Sequence, residues 1–142
     1  MTERWHVKTS DGGTIAVWIE GDGPPLVLVH GSVSDQIAFA PLIGELRDEV
    51  TIFGMDRRGF GASHDGTGYS AEREFSDVAA VVDAVAARTR EAVVLVGHSW
   101  GASCALGTAG PAVPARFHSS RATAMLHTGT RLRSSPRCCE AG

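Results

Sequence analysis

Near the N-terminus, apolar and polar residues alternate with a period of two. Ile15, Val17 and Ile19 are separated by single residues of other character, and an Asp-Gly-Gly turn signal precedes them. Strict alternation of this kind is typical of a half-buried strand. Together with the turn, it predicts an antiparallel hairpin with strands over residues 7–10 and 14–20.

Further along the chain, short apolar runs are separated by segments with helical spacing. Residues 26–29 and 93–96 are apolar at every position, as in a strand that is buried on both faces. Residues 50–55 are predicted to form another strand. The segments in which apolar residues recur with helical spacing are predicted to be helices, over 37–47, 72–88 and 100–106. In the second of these helices, Asp77 and Asp83 are expected to lie among the outward positions.

Strands that alternate with helices predict an α/β fold, with a mostly parallel sheet, right-handed crossovers and flanking helices. An antiparallel hairpin is a common edge of such a sheet. The chain is 43% hydrophobic and 20% charged, which fits one globular domain. It has no apolar run of ~18 residues and no basic start followed by an apolar stretch, so we expect neither a membrane span nor a secretory signal. The cytoplasm is therefore the expected compartment.

The composition changes near Gly107. Residues 1–106 carry 8 Lys or Arg and 15 Asp or Glu, whereas residues 107–142 carry 5 Arg and 1 Glu. The second part mixes Arg, Ser, Pro and Cys without apolar alternation, so we expect no core there. Its arginines are scattered and have no interleaved aromatic residues, which argues against binding to nucleic acid or a membrane.

We therefore divide the chain into a partial domain, residues 1–106, and an aperiodic tail, residues 107–142. Natural disorder and translation in the wrong reading frame both explain such a tail. We favour the second because the change falls within a folding unit rather than after one.

The motif that most directly indicates chemistry is Gly97-His98-Ser99-Trp100-Gly101, which fits the pattern G-x-S-x-G. It lies between a buried strand and the start of a helix, the context that a nucleophile elbow requires. Glycines on both sides of the serine allow strand and helix to approach closely. The alternative, a glycine-rich turn without chemistry, has to be considered in a chain with 17 glycines. The position between strand and helix favours a nucleophile.

Three blocks, in this order, resemble the α/β-hydrolase superfamily over residues 7–106. They are Val29-His30-Gly31-Ser32, the loop Asp56-Arg57-Arg58-Gly59-Phe60-Gly61-Ala62-Ser63, and the elbow. The resemblance implies an incomplete fold that runs from the N-terminal strands through the elbow. It also implies an esterase-like or lipase-like serine hydrolase that acts on an ester or related acyl bond of a small molecule.

The resemblance further implies the role of each site residue. Ser99 would attack a carbonyl carbon and form an acyl-enzyme. The backbone N–H groups of Trp100 and Ser32 would form the oxyanion hole, with Val33 as the alternative to Ser32. His30 and His98 are expected to be structural, because the base of this family comes late in the chain.

The arginine pair Arg57-Arg58 is open to two interpretations. It could bind an anion, or it could anchor its loop through a carboxylate such as Asp56. We favour the anchor. The cysteines have no metal-ligand spacing, so we expect neither a metal nor another cofactor.

The base and acid that a serine nucleophile needs cannot be identified in the sequence. The superfamily has the order serine, acid, histidine. After Ser99 the only acid is Glu140, and both histidines, His118 and His127, precede it. We therefore expect no functional triad. We also expect the strand at 93–96 to lack its next neighbour and to be an exposed edge.

Three interpretations follow. The chain is a fragment of a serine hydrolase, a non-catalytic product of a pseudogene or frameshift, or a hydrolase-like module that binds a ligand without chemistry. Serine rather than aspartate at the elbow argues against the epoxide-hydrolase and dehalogenase branches, whose intermediates form on a carboxylate. The sequence does not indicate an oligomeric state.

Overall fold

The computed structural model describes residues 3–109, 116–118 and 123–128. Each strand and helix predicted within residues 1–106 is present. The strands are β1 (Glu3–Lys8), β2 (Thr14–Gly21), β3 (Pro25–Val29), β4 (Thr51–Met55), β5 (Val93–His98), β6 (Arg116–His118) and β7 (Thr123–Thr128). The helices are α1 (Ala40–Leu46), α2 (Ala71–Thr89) and α3 (Trp100–Ala109).

The described strands form one mixed sheet in the order β1-β2-β4-β3-β5-β7-β6. Strand β3 lies at the centre and runs parallel to both β4 and β5. The hairpin of β1 and β2 is antiparallel and adds to the sheet through β4. This arrangement confirms an α/β fold with a parallel centre and an antiparallel hairpin at its edge.

The two faces of the sheet hold two separate apolar clusters. Along β3, Val27 and Val29 pack into the cluster that also contains the buried side chains of α2 and α3. Leu26 and Leu28 point to the opposite face, where they pack with Phe39 and the partly buried side chains of α1. Because successive side chains of a strand alternate between faces, one apolar run supplies both cores.

The prediction that β5 is an exposed edge strand is wrong. Strand β7 pairs with it in antiparallel register, from Val93 opposite Thr128 to His98 opposite Thr123. An edge of unpaired N–H and C=O groups accepts any extended segment that reaches it, whatever the side-chain pattern of that segment. Helix α3 also continues three residues past the predicted end at Leu106, to Ala109. Strand β6 pairs with β7 in turn, and the remaining residues of the predicted tail lie outside the described residues.

The buried face of α2 differs from the predicted one. We expected Asp77 on the outward face, but it is 2% exposed, and Glu74 is 1% exposed. Val78, Val81 and Val85 lie on the same buried face. Helix α2 therefore carries two carboxylates into the protein, and both of them point toward the loop that follows β4.

Candidate active site

Ser99 forms the whole connection between β5 and α3. Its φ angle is +55°, in the left-handed region that residues with a Cβ seldom adopt. Its side chain is exposed. A strand that reverses into a helix within one residue presents that residue at the tip of the turn, as the elbow motif predicts.

The two glycines of the motif are required by close approaches of the backbone. A Cβ at Gly101 would lie 2.5 Å from the carbonyl oxygen of His30 and closer still to that of Val29. A Cβ at Gly97 would lie 2.6 Å from the backbone nitrogen of Ala102. Neither position has room for a side chain, so both glycines are needed to bring β5, α3 and the end of β3 together.

The loop after β3 lies directly against the nucleophile elbow. A Cβ at Gly31 would be 3.1 Å from the Cβ of Ser99. The carbonyl oxygen of Gly31 accepts hydrogen bonds from Arg57 Nη1 at 2.7 Å and from His30 Nδ1 at 2.8 Å. In a planar trans peptide the next N–H points the opposite way from that carbonyl. The N–H of Ser32 is therefore turned away from the buried Arg57.

His30 is held within the protein through both of its ring nitrogens. Nδ1 donates to the carbonyl of Gly31, and Nε2 accepts from the backbone N–H of Arg57 at 2.9 Å. The side chain is fully buried, and burial lowers the pKa of His30, which keeps the ring neutral. This geometry supports the structural role that the sequence predicts for His30. His98 is exposed.

Arg57 and Glu74 form a buried ion pair beneath the elbow. Arg57 Nε and Nη2 donate to the two carboxylate oxygens at 2.8 and 3.0 Å, and both side chains are at most 2% exposed. Glu74 also accepts hydrogen bonds from the indole of Trp100, the thiol of Cys104 and the hydroxyl of Tyr69. Burial alone would raise the pKa of Glu74, but the hydrogen bonds from Arg57 and Cys104 outweigh it and lower the pKa.

Arg58 has its own buried partners. It donates to both carboxylate oxygens of Asp77 at 2.8 Å, and to Asp11 in the turn of the hairpin at 2.6 Å. The arginine pair thus anchors its loop through carboxylates, as we favoured, but Asp56 is not among them. Asp56 instead accepts from the indole of Trp18 and from the backbone N–H groups of Ala62 and Gln36. It therefore joins β2 to the loops that follow β3 and β4.

An open groove of about 530 Å³ lies between the loop after Ser32 and the loop after Arg58. Its lining includes Val33, Ile37 and Phe60, and the side chains of Val33 and Ile37 are 93% and 65% exposed. Exposed apolar side chains that are rimmed by polar residues can mark a ligand-binding surface.

No acid and histidine complete a triad in the part of the chain whose side chains are described. Within residues 3–109, no histidine or carboxylate hydrogen-bonds the Ser99 hydroxyl. His118 and His127 lie on β6 and β7. The backbone register puts His118 level with His98, two strands away, and His127 opposite Val94. Glu140 lies outside the described residues.

Two other features are absent from the described residues. These residues contain no group of three or more His, Cys, Asp or Glu side chains that could hold a metal ion. None of their helices combines the length and the apolar character that crossing a membrane requires.

A profile of the alpha/beta hydrolase family matches residues 26–136, well over half of the chain. The chain belongs to the alpha/beta hydrolase family. The match includes the strand-end loop of Ser32, the loop of Arg57 and the elbow of Ser99, the three blocks in which the sequence resembles this superfamily. It also extends beyond residue 106, so the division at that residue stays a prediction.

Over 90 residues, this alpha/beta hydrolase chain is 38% identical to the 2-(acetamidomethylene)succinate hydrolase of Mesorhizobium japonicum. The aligned part makes up 63% of this chain and 31% of that protein. The structure of an alpha/beta hydrolase from Sphaerobacter thermophilus matches with a TM-score of 0.68 and 40% identity, over 78% of this chain and 41% of that one. An esterase from Exiguobacterium antarcticum matches with a TM-score of 0.67 and 28% identity, over 75% of this chain and 40% of the esterase.

The matching proteins are longer than this chain and differ in their named activities. The chain spans about a third of the length of the curated relatives it matches. Proteins named as epoxide hydrolases and as a decarboxylase also match. The family shares a fold that serves more than one reaction, so the reaction has to be argued from the site.

The sequence analysis missed the carboxylate partners of the arginine pair. One signal was present: positions 74, 77, 78, 81 and 85 share one helical face, and three of them are valines. Two acids on a face that is otherwise apolar indicate buried charges that need cations. The adjacent residues Arg57 and Arg58 are those cations.

Proposed function

We propose that Ser99 is the nucleophile of a serine hydrolase that acts on an ester or related acyl bond of a small molecule. The observation that carries the proposal is the left-handed backbone of Ser99 at the tip of the strand-to-helix turn, with φ at +55°. Residues with a Cβ that are held in this region cluster at active sites and ligand-binding turns. The names of the Mesorhizobium hydrolase and the Exiguobacterium esterase support a hydrolytic reaction.

In the proposed step, Ser99 Oγ forms a bond to the carbonyl carbon, and the π electrons of the carbonyl move onto its oxygen. When the carbonyl re-forms, the bond to the leaving group breaks, and the leaving group takes the electron pair. In this chain the hydroxyl proton passes to solvent water, and the acyl-enzyme accumulates because no described side chain is placed to activate a water that would hydrolyse it. Serine fits this route better than epoxide opening, which in this superfamily uses a carboxylate at the elbow.

Two backbone donors would stabilise the oxyanion. Trp100 is the first residue of α3, so its N–H has no partner within the helix and lies at the positive end of the helix dipole. The N–H of Ser32 is the better second donor, because the anchored carbonyl of Gly31 fixes the orientation of that peptide. Val33, the alternative, comes one peptide later, where no such anchor acts.

Turnover requires the base and acid that a longer chain of this family would supply. We propose that this chain holds the nucleophile and the oxyanion donors of such an enzyme, in a partial domain over residues 1–106 and in the cytoplasm. It therefore acylates slowly and does not turn over.

The test is the reaction of the chain with p-nitrophenyl acetate, followed by intact-mass measurement. We expect at most one equivalent of p-nitrophenolate and a stable acetyl group on Ser99, with Ser99→Ala as the unreactive control. Equal acetylation of the Ser99→Ala variant would overturn the proposal, and so would an unmodified wild-type chain.

The open groove beside Ser32 favours a second candidate, a hydrolase-like module that binds a small molecule without chemistry. A ligand that binds only the folded state raises the melting temperature by mass action. If small esters raise the melting temperature of wild type and of Ser99→Ala equally, and neither protein is acylated, this second candidate is the correct one.

A further inference from the structure

Glu74 is a single buried carboxylate that contacts both loops of the candidate site. Its side chain is 1% exposed. One set of its hydrogen bonds comes from α3, which begins directly after Ser99, and the other comes from Arg57 in the loop after β4. Each set leads to one of the two backbone N–H groups that the proposed function assigns to the oxyanion hole.

The first connection fixes the start of α3. Trp100 Nε1 donates to Glu74 Oε2 at 2.9 Å, and Cys104 Sγ donates to the same oxygen at 3.1 Å. These side chains are four residues apart and therefore lie on one face of the first turn. Both are held by one oxygen, so the end of the helix that presents the Trp100 N–H has a fixed position relative to α2.

The second connection fixes the peptide that precedes Ser32. The guanidinium of Arg57 is bound by Glu74 through Nε and Nη2, and its remaining nitrogen, Nη1, donates to the Gly31 carbonyl at 2.7 Å. The planar guanidinium transmits the orientation of the carboxylate to that carbonyl. The N–H at the other side of the same peptide is that of Ser32.

We propose that Glu74 is a positioning residue that sets the two oxyanion donors relative to each other; this rests on the proposed function of Ser99. Donors from different loops act on one oxygen only if their separation is held to a fraction of an ångström. A shared anchor accomplishes this, because a shift of Glu74 moves both donors together. Glu74 itself touches neither substrate nor Ser99.

The protein contains a matched control for this proposal. Asp77 lies on the same helix, three residues after Glu74, and binds Arg58 through two hydrogen bonds of 2.8 Å. Both side chains of that pair are 3% exposed. The Arg58 pair equals the Arg57 pair in burial and geometry, but no hydrogen bond links it to Gly31 or Trp100 among the described side chains.

The experiment compares the full chain with its Glu74→Gln, Trp100→Phe and Asp77→Asn variants at a temperature at which each is folded by circular dichroism. The first readout is the phosphonylation of Ser99 by a fluorophosphonate over a range of reagent concentrations. The second is the amide NMR resonances of Ser32 and Trp100 in the unreacted proteins, which does not depend on any reaction.

Glu74→Gln places an amide N–H₂ against the donors of Arg57, so we expect both amide resonances to shift. We expect its maximal phosphonylation rate to fall roughly 10- to 100-fold at an unchanged half-saturating concentration. Trp100→Phe removes one connection and should lower the rate by a smaller factor while the Ser32 resonance stays unshifted. Asp77→Asn should leave both amide resonances unshifted and change the phosphonylation rate by less than about twofold.

Equal effects of Glu74→Gln and Asp77→Asn on rate and resonances would overturn the proposal, because they would show a general loss of structure. If Glu74→Gln does not fold, Trp100→Phe decides: a wild-type rate of phosphonylation in that variant contradicts the proposal. If the wild-type chain is not phosphonylated but the amides respond as expected, the proposed function fails while the coupling through Glu74 stands.

Discussion

Gly101 lies so close to Val29 that a Cβ on the glycine would overlap the carbonyl oxygen of the valine. This contact joins the first turn of α3 to the end of β3, and it allows the elbow to approach the loop of Ser32. Both atoms in the contact belong to the backbone, so no side-chain rotation can relieve the overlap.

Gly101→Ala is therefore expected to destabilise the fold by more than about 3 kcal/mol. Gly44→Ala is the matched control, because Gly44 lies in α1 with nothing within 4 Å of its added Cβ. That variant should gain about 0.5–1 kcal/mol from the better helix propensity of alanine. Urea unfolding of both variants measures the difference, and equal stabilities would contradict the assigned contact.

Asp77→Asn is expected to destabilise the protein by about 3 kcal/mol, because it removes the principal partner of a buried arginine. The remaining contact of Arg58 with Asp11 keeps the loss near the lower end of the range for buried pairs. Asp83→Asn is the control, since Asp83 is an exposed residue of the same helix. Chemical denaturation that finds the same small change for both variants would show that the buried pair does not contribute as described.

Stability is expected to fall with acid partly through Asp11. Hydrogen bonds from Arg58 and Thr9 hold the pKa of Asp11 well below its ordinary value of 3.8. A carboxyl whose pKa is depressed in the folded state stabilises the protein above the unfolded value, and the contribution is lost as the pH falls below 3.8 toward the folded value.

Asp11→Asn should therefore melt at a lower temperature than wild type near neutral pH, and the two should converge as the pH falls below about 4. Asp65→Asn, at an exposed loop residue, should follow the wild-type curve. Melting curves recorded over this pH range test the point. A constant gap between wild type and Asp11→Asn would mean that the ion pair with Arg58 does not form.

The left-handed backbone of Ser99 predicts a difference between two inactive variants. Ser99→Ala keeps a Cβ at a φ of +55°, whereas Ser99→Gly removes it. The left-handed region costs roughly 1–2 kcal/mol for residues with a Cβ, and glycine avoids this cost. Glycine also makes the unfolded chain more flexible, which offsets about 0.4–1 kcal/mol of the stability gained. Ser99→Gly should thus be the more stable by about 0.5–1 kcal/mol. A more stable Ser99→Ala would indicate an unstrained turn.

The elbow and the central strands could be predicted from the sequence because their causes are local. Gly97 and Gly101 signal a close approach, and residues 93–96 signal a buried strand, without reference to the rest of the chain. The proposed role of Ser32 does not follow from a local pattern in the sequence. It depends on the orientation of the Ser32 N–H, which is set by a hydrogen bond between Arg57 and Gly31.

The partners of the arginine pair could not be predicted in the same way. A carboxylate ordinarily stays in water, which predicts Asp77 on the outward face of the helix. This rule fails here because the buried cation of Arg58 lies opposite. The partner of β5 was missed for a related reason. Residues 123–128 have only a weak alternation of apolar and polar residues, which does not predict a strand. Their pairing depends on the edge that β5 offers.

The account rests on Ser99 as a nucleophile, and the most direct measurement is labelling of the full chain with a fluorophosphonate followed by peptide mapping. We predict one phosphonate per chain, on the peptide that contains Ser99, and no label on Ser99→Ala. Label distributed over several serines, or no label on a chain that is folded by circular dichroism, would contradict the central claim.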